Sequence, residues 1–283
     1  MENTPNRISE VETYVFQYKP SLVILTPCYG SMCYTNYVSC LFNTIHLCSM
    51  YNIQVSFEFC RCDSLVPRAR NNLLAKAMSK EPKATHFIFI DADIAWDAYD
   101  ILKLMISHKL VCGGLYPLKS LRFDRLLGDN NIVEKWKKQK IKQPVLQNIS
   151  DIDIIQHNLL SYNFNPPNKA TMTVVNNMTE VRHLATGFMM LRRETIECMQ
   201  KAFPSTKYVD DVNFLVGDEN KHAFALFDCG VEDGHYFSED WLFCQRWLNM
   251  GGKVYANLTI NLTHTGLQDF KGAVLTSFIN NDD

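Results

Sequence analysis

Between residues 21 and 116 the sequence alternates short, strand-like runs with longer segments of helical periodicity. The runs SLVILT, THFIFI and LVCGGLY are apolar and strand-sized, and apolar side chains alternate with polar ones over residues 53–59. Apolar residues recur at helical spacing over residues 34–50, and helices are also predicted at 66–78 and 98–108. This order is typical of an α/β fold whose largely parallel sheet lies between layers of helices.

The alternation is interrupted over residues 119–180. This stretch holds a basic run, prolines and many asparagines, which indicates an irregular, solvated insertion. Beyond it, the pattern predicts helices at 194–202 and 238–250 and strands at 184–191, 253–256 and 258–262. We therefore expect a polar lead-in over residues 1–20 and a single domain over residues 21–283 that carries the insertion.

Composition argues against several classes of protein. The sequence has 28 Lys and Arg against 30 Asp and Glu, so we expect no electrostatic attraction to nucleic acid. It contains no apolar stretch long enough to cross a bilayer, and residues 1–14 lack the basic-then-apolar pattern of a secretion signal. Ten cysteines in 283 residues are too dilute for a disulfide scaffold. These features predict a cytoplasmic protein without a transmembrane segment.

Two aspartates follow the apolar run THFIFI at the end of a predicted strand. In an open α/β sheet, ligands bind beyond the carboxyl ends of the strands. Asp91 and Asp93 would repel each other at such an edge, and a divalent cation would relieve both this repulsion and the cost of desolvation. Carboxylate oxygens suit Mg²⁺ or Mn²⁺, which are commonly held by a few protein carboxylates together with the phosphates of a substrate. The pair therefore predicts a metal site, with capping of the following helix as the alternative.

Arg68 and Arg70 lie near the start of the helix predicted from residue 66. Positive side chains there oppose the helix dipole, so helix stability does not account for them. An anionic ligand would account for them, because guanidinium and free backbone N–H groups both bind phosphate. The alternative is an ordinary pair of surface arginines.

The C-terminal half adds two further candidates. Glu239 and Asp240 open the helix predicted at 238–250. Acidic side chains stabilise any helix there, but one carboxylate could also accept a proton from an attacking hydroxyl. His264 follows the last predicted strand and is either structural or a metal ligand contributed from far along the chain.

Taken in order, seven motifs resemble those of the GT-A family of nucleotide-sugar glycosyltransferases. They are TPCYG, SLVPRARNN, FIFIDADI, GGLYP, ATGFMMLRRE, YFSEDWLFCQRW and THTG, and they run from about residue 21 to residue 266. The chain looks most like the compact glycosyltransferase domains of large DNA viruses and some bacteria, and a viral protein of this kind would lie in the host cytoplasm. The resemblance implies a GT-A (Rossmann-like) fold, with a mixed, mostly parallel central sheet flanked by helices.

The same resemblance implies an activity and its partners. A sugar would pass from a nucleotide-sugar donor to a glycan or glycoprotein acceptor, with Mn²⁺ or Mg²⁺ as cofactor. Asp240 would be the catalytic base, with Glu239 beside it. If Asp240 lies behind the anomeric carbon, the reaction inverts the configuration, and if it faces the sugar hydroxyls, a retaining reaction is the alternative.

The remaining roles implied by the resemblance fall into three groups. The metal ligands would be Asp91, Asp93 and His264. The donor sugar would be contacted by Ala185, Thr186 and Gly187. The nucleotide would be contacted by Thr26, Pro27, Tyr29, Arg68, Arg70, Asn71 and Asp91.

Two other functions fit parts of the sequence. A sugar nucleotidyltransferase usually carries a Gly-rich, basic loop after its first strand, whereas PCYGSMCYTNY has no Lys or Arg. A non-catalytic module that binds a nucleotide sugar or a carbohydrate would keep the fold without turnover, and the intact Asp91, Asp93, Asp240 and His264 argue against it. A dinucleotide-binding dehydrogenase is not predicted, because no G-x-G-x-x-G follows any strand.

Overall fold

The computed structural model describes residues 4–128, 131–143, 150–167 and 172–268, and within them the chain folds around an eight-stranded sheet. The helices are α1 (Thr4–Tyr18), α2 (Thr35–Met50), α3 (Val66–Ser79), α4 (Ala98–Ile106), α5 (Ile132–Lys142), α6 (Asp151–Leu159), α7 (Arg193–Ala202) and α8 (Glu239–Asn249). The strands are β1 (Ser21–Cys28), β2 (Gln54–Arg61), β3 (His86–Ile90), β4 (Ile94–Ala95), β5 (Val111–Gly114), β6 (Val174–Val175), β7 (Met178–Val181), β8 (Phe188–Arg192), β9 (Gly230–Glu232), β10 (His235–Phe237), β11 (Val254–Asn257) and β12 (Thr263–His264).

The sheet has the strand order β2-β1-β3-β8-β5-β11-β7-β6. β1 pairs in parallel with β2 and β3, and β5 pairs in parallel with β11. β8 lies antiparallel between β3 and β5, and β7 lies antiparallel between β11 and β6. Only β7 and β8 therefore oppose the common direction within the described sheet. The predicted fold class, a mixed and mostly parallel central sheet flanked by helices, is confirmed.

The core explains why the central strands are apolar throughout. Val23 and Leu25 of β1 pack on one face of the sheet, in the same cluster as Leu73 of α3. Leu22 and Ile24 pack on the opposite face, in the cluster that contains residues of α1, α2 and α4. Because neighbouring side chains of a strand point to opposite faces, a sheet covered by helices on both sides needs apolar residues at every position.

Two segments differ from their predicted form. The expected lead-in over residues 1–20 contains α1, and the Tyr14 hydroxyl is 3.2 Å from His86 Nε2 of β3. The strand predicted at 258–262 is wrong: the Asn257 carboxamide oxygen accepts a hydrogen bond from the Thr259 amide at 2.9 Å and turns the chain, and the next strand is β12. The single-domain boundaries stay a prediction.

The segment predicted as an irregular insertion holds two helices. α5 and α6 pack together, and Trp136 Nε1 donates to Asp151 at 2.9 Å. Residues 129–130, 144–149 and 168–171 of this segment lie outside the described residues. No helix in the described part of the chain is both long and apolar enough to span a bilayer.

Candidate active site

The pairing of β4 with β12 brings the C-terminal segment to the end of β3. His264 pairs with Ile94, and the Thr265 amide donates to the Asp93 carbonyl at 2.8 Å. Asn36 of α2 then donates to the Thr265 hydroxyl at 2.6 Å. Three segments that are far apart in the chain are thereby held together at the carboxyl edge of the sheet.

Asp93 has two neighbours at one carboxylate oxygen, Lys119 and His264. Asp93 Oδ2 is 2.5 Å from Lys119 Nζ and 3.5 Å from His264 Nε2. His264 Nδ1 is 2.8 Å from the Pro117 carbonyl oxygen, which can only accept a hydrogen bond. Nδ1 therefore carries the proton, and in the neutral ring the lone pair of Nε2 faces Asp93. Such an anchored imidazole is how proteins orient a metal-binding histidine.

Asp91 has a different partner, the buried guanidinium of Arg70. Arg70 Nη2 donates to Asp91 at 3.0 Å and Arg70 Nε donates to Glu239 at 3.1 Å. Burial acts to lower the pKa of Arg70, but the two carboxylates outweigh it and raise the pKa, so the group stays charged. The third nitrogen, Nη1, is buried without a hydrogen-bond partner among the described residues. Arg70 thus ties the end of β3 to the start of α8 and keeps one donor unused.

Gly187 lies directly beneath this cluster. The Asp91 amide donates to the Gly187 carbonyl at 3.0 Å. A Cβ atom at position 187 would lie 2.6 Å from the Tyr116 hydroxyl oxygen and 2.8 Å from Asp91 Oδ2. Only glycine allows this approach, so Gly187, which the family resemblance implies beside a donor sugar, packs against Asp91 and Tyr116.

We expect Gly187→Ala to lower the free energy of unfolding by about 1–3 kcal/mol, because its methyl group overpacks the contact with Tyr116 and Asp91. Urea denaturation measures the change. Gly230→Ala is the matched control, since its Cβ would find its nearest neighbour at 3.8 Å. Equal stability of the two variants would contradict the close packing described at Gly187.

Asp240 lies at the start of α8 and is half-buried. The Ser238 hydroxyl and the Trp241 amide both donate to Asp240 Oδ1, the second at 2.8 Å. Burial raises the pKa of Asp240, and the adjacent Glu239 raises it further, while the Ser238 hydrogen bond acts to lower it. A carboxylate with a raised pKa is a better proton acceptor than an exposed one.

Two aromatic residues close to Asp240 in the chain, Phe237 and Trp241, pack against the ring of His183. The His183 ring stacks on Trp241 with centroids 4.1 Å apart, and Phe237 lies edge-on to both rings. Burial and Arg182 lower the pKa of His183 to about 4, so the ring is neutral at neutral pH. His183 Nε2 and the Thr186 hydroxyl are buried without hydrogen-bond partners among the described residues. Sequence reasoning missed His183, which has no motif around it.

The candidates on the first strand and its turn differ in exposure. Thr26 is fully buried and its hydroxyl is 2.6 Å from the Tyr37 hydroxyl, so its side chain fixes α2 to β1. Pro27 pairs with Cys60 of β2. Tyr29 begins a 3-10 turn and is 76% exposed, which leaves its ring free to contact a ligand.

Arg68 and Asn71 make contacts of their own. Arg68 forms two hydrogen bonds with Asp63, at 2.9 and 2.8 Å. Asn71 is buried, and its carboxamide pairs with the Phe227 backbone through bonds of 2.5 and 2.9 Å. Asn71 thus holds the segment before β9, and Arg70 is the arginine of α3 that joins Asp91 and Glu239.

The described residues only partly assemble the predicted metal set. No group of three His, Cys, Asp or Glu side chains in the described ranges is arranged to hold a metal ion. Asp93 and His264 face each other, whereas Asp91 is engaged by Arg70. One carboxylate and one imidazole fit a cation that completes its shell with phosphate oxygens and water.

Cavities of different size open among the described residues. One of 390 Å³ opens beside Arg68 and Asn71, between the start of α3 and residues 208–212. A larger one of 1080 Å³ is lined by residues of α4 and β7 and by Tyr255, and it contains none of the predicted site residues. Size therefore does not mark the candidate site, which is identified by its charged side chains.

The chain is similar to known proteins among the solved structures. No protein-family model and no curated protein matches the chain. Among solved structures, GalNAc-T7 with UDP, GalNAc and Mn²⁺ is similar, with a TM-score of 0.45 and 11% identity over 90% of this chain and 45% of that chain. The chain thus spans less than half the length of this neighbour, and the likeness concerns the fold alone.

Proposed function

We propose that the protein transfers a sugar from a nucleoside diphosphate sugar to an acceptor hydroxyl, with a divalent cation at Asp93 and His264. One observation carries the proposal. Asp91 and Asp93 after β3, Arg70 of α3, Glu239 of α8 and His264 of β12 meet at the carboxyl edge of the sheet, joined by the contacts described above. Open α/β sheets bind their ligands at this edge.

Arg70 and His264 supply groups that an anionic nucleotide sugar needs. The Nη1 group of Arg70 is a buried, charged hydrogen-bond donor without a partner among the described residues. Leaving such a group unpaired costs free energy, and a hydrogen bond to a phosphate oxygen would recover it. His264 is held by Pro117 with Nε2 toward Asp93. When bound, the divalent cation would act as a Lewis acid for the departing diphosphate.

Asp240 supplies the proton acceptor. Both of its hydrogen bonds within the described residues are made by Oδ1, which leaves Oδ2 for an acceptor hydroxyl. The raised pKa strengthens the carboxylate as a base. Trp241, the next residue in the chain, stacks on the buried His183 and is itself only partly buried, so it offers an aromatic ring of the kind on which sugar rings pack.

A second candidate function is a non-catalytic module that binds nucleotide sugars. One observation favours it: Asp91 and Asp93 already pair with positively charged side chains, Asp91 with Arg70 and Asp93 with Lys119. Product analysis with a panel of nucleotide sugars, Mn²⁺ and simple glycan acceptors separates the two. Sugar transfer or donor hydrolysis that stops with a chelator supports the enzyme, and donor binding without products supports the module. Absence of both binding and products would contradict both.

The finer expectations from the sequence belong to this proposal as well. They are Mn²⁺ or Mg²⁺ as cofactor, a glycan or glycoprotein acceptor, a cytoplasmic location, and a likeness to viral and bacterial domains. The donor sugar is expected beside Ala185, Thr186 and Gly187.

We expect Arg68→Ala to weaken the binding of a nucleoside diphosphate by about ten- to a hundredfold, since a charge-assisted contact is worth roughly 1.5–3 kcal/mol. Arg68 borders the 390 Å³ cavity and is 38% exposed, so it can reach a ligand. Calorimetry with a panel of nucleoside diphosphates measures the effect. Arg122→Ala, which removes an arginine equally paired with Asp124, is the control. Wild-type affinity in Arg68→Ala would remove Arg68 from the nucleotide site.

A further inference from the structure

Lys119 is a charged side chain in the candidate site that the proposed reaction leaves without a role. It follows β5 and lies two residues beyond Pro117, whose carbonyl orients His264. Its Nζ is 2.5 Å from Asp93 Oδ2, and His264 Nε2 is 3.5 Å from the same oxygen. An ammonium group therefore occupies the side of Asp93 that faces the imidazole.

The neighbouring residues fix the backbone at Lys119 and leave room for its side chain beside Asp93. A Cβ atom at position 266 would lie 2.6 Å from Lys119 Cδ, so the glycine of the THTG motif gives room for the lysine stem. The neighbouring Leu118 amide donates to the Ser161 carbonyl at 2.8 Å. The side chain is 39% exposed, so it can also swing into solvent. Lys119 is thus positioned by its backbone and retained by Asp93.

A divalent cation and this ammonium group compete for one oxygen. A cation bound between Asp93 Oδ2 and His264 Nε2 would lie about 2 Å from the oxygen. An ammonium group 2.5 Å from that oxygen would then be close to a doubly positive ion, and the repulsion at such distances is large even with solvent screening. The flexible four-carbon stem of lysine allows the charge to move away.

We infer that Lys119 is a built-in competitor of the divalent cation: it neutralises Asp93 in the metal-free protein and has to leave Asp93 before the metal can bind. The inference rests on the proposed function in one respect, that Asp93 and His264 are metal ligands. It makes Lys119 a determinant of metal affinity, acting with a sign opposite to that of the ligands.

The test is a titration of each protein with Mn²⁺, in which electron paramagnetic resonance measures the free ion, with and without a nucleoside diphosphate. Lys119→Met should bind Mn²⁺ about two- to fivefold more tightly than wild type, because it no longer loses a partly exposed ion pair on binding. Lys119→Arg keeps the charge and should not gain affinity. Asp93→Asn should lose binding.

A matched control separates competition at Asp93 from a general change in charge. Lys253 Nζ is 2.6 Å from Glu180 and both side chains are exposed, so Lys253→Met removes the same charge from an equally short pair outside the site. Its Mn²⁺ affinity should equal that of wild type. Melting temperatures verify that each variant is folded.

The outcomes distinguish the two hypotheses. If wild type binds Mn²⁺, Asp93→Asn does not, and Lys119→Met binds no more tightly than wild type, the inference about Lys119 is wrong while the proposed metal site stands. If neither wild type nor Lys119→Met binds Mn²⁺ under either condition, the inference and the proposed metal site are both wrong. Tighter binding by Lys119→Met alone supports the inference.

Discussion

Replacement of Asp93 by alanine should abolish metal-dependent turnover and leave the fold intact. The side chain lies beyond the buried strand β3 and is 26% exposed, and its described partners are Lys119 and His264, not the core. The backbone contact with the Thr265 amide does not depend on the carboxylate. In the proposed reaction a metal ion would supply several kcal/mol of transition-state stabilisation, so its loss should slow the reaction by about a thousandfold or more.

Donor hydrolysis rates in the presence of Mn²⁺ measure this effect, and thermal melts verify the fold. Asp124→Ala is the control, because Asp124 is an exposed aspartate paired with Arg122 outside the site. A folded Asp93→Ala protein with wild-type activity would remove Asp93 from the metal site and with it the metal-dependent mechanism.

The second large effect is expected for Asp240→Asn. Loss of a general base typically costs on the order of 10²–10⁴ in rate. If the acid only offsets the dipole of α8, its loss would cost about 0.3–1 kcal/mol of stability and leave the rate nearly unchanged. Rate measurements with saturating donor distinguish the two roles. Asp153→Asn is the control, since Asp153 is an acidic residue in the first turn of α6, outside the site.

The raised pKa of Asp240 gives this prediction a pH dependence. Because burial raises the pKa of Asp240 in the folded state, folding favours the protonated carboxyl group. The stability that this protonated group contributes is present at low pH and is lost as the pH rises through the raised pKa. Asp240→Asn has no charge to bury and should be at least as stable as wild type at neutral pH. The wild-type rate should fall as the pH decreases through the raised pKa. A rate within a fewfold of wild type in Asp240→Asn would indicate a different base or a retaining mechanism.

The fold was largely predictable because each central strand of the sheet is a short apolar run that can be recognised in the sequence. The central strands are covered on both faces, so their apolar runs were visible without knowledge of their neighbours, and the position of Asp91 after β3 followed directly. The prediction of a strand at 258–262 was wrong for a local reason. Its alternating residues Ile260 and Leu262 are indeed buried, but the side chain of Asn257 turns the backbone before a strand can continue.

The partners within the site were less predictable, because they depend on contacts between distant segments. The resemblance favoured Arg68 over Arg70 at the nucleotide, yet the folded chain shows that Arg70 is the arginine buried between Asp91 and Glu239. Lys119 lies at the start of the predicted insertion and carries no pattern that points to Asp93. The signal for α1 was present, since Val11 and Tyr14 are one helical turn apart and both are buried.

The joining of β4 to β12 also determines when, during biosynthesis, the site can exist. The contact between Asn36 and Thr265 closes a loop of 229 residues. The free-energy cost that arises from the lost chain entropy in a loop of that length is about 5 kcal/mol. The ribosome releases the segments that carry Arg70, Asp91 and Asp93 long before it releases His264. A nascent chain therefore displays the acidic end of β3 without its imidazole partner, and the histidine arrives only when nearly all of the described chain has been made. Chains that terminate before β12 would lack His264 and with it the completed site.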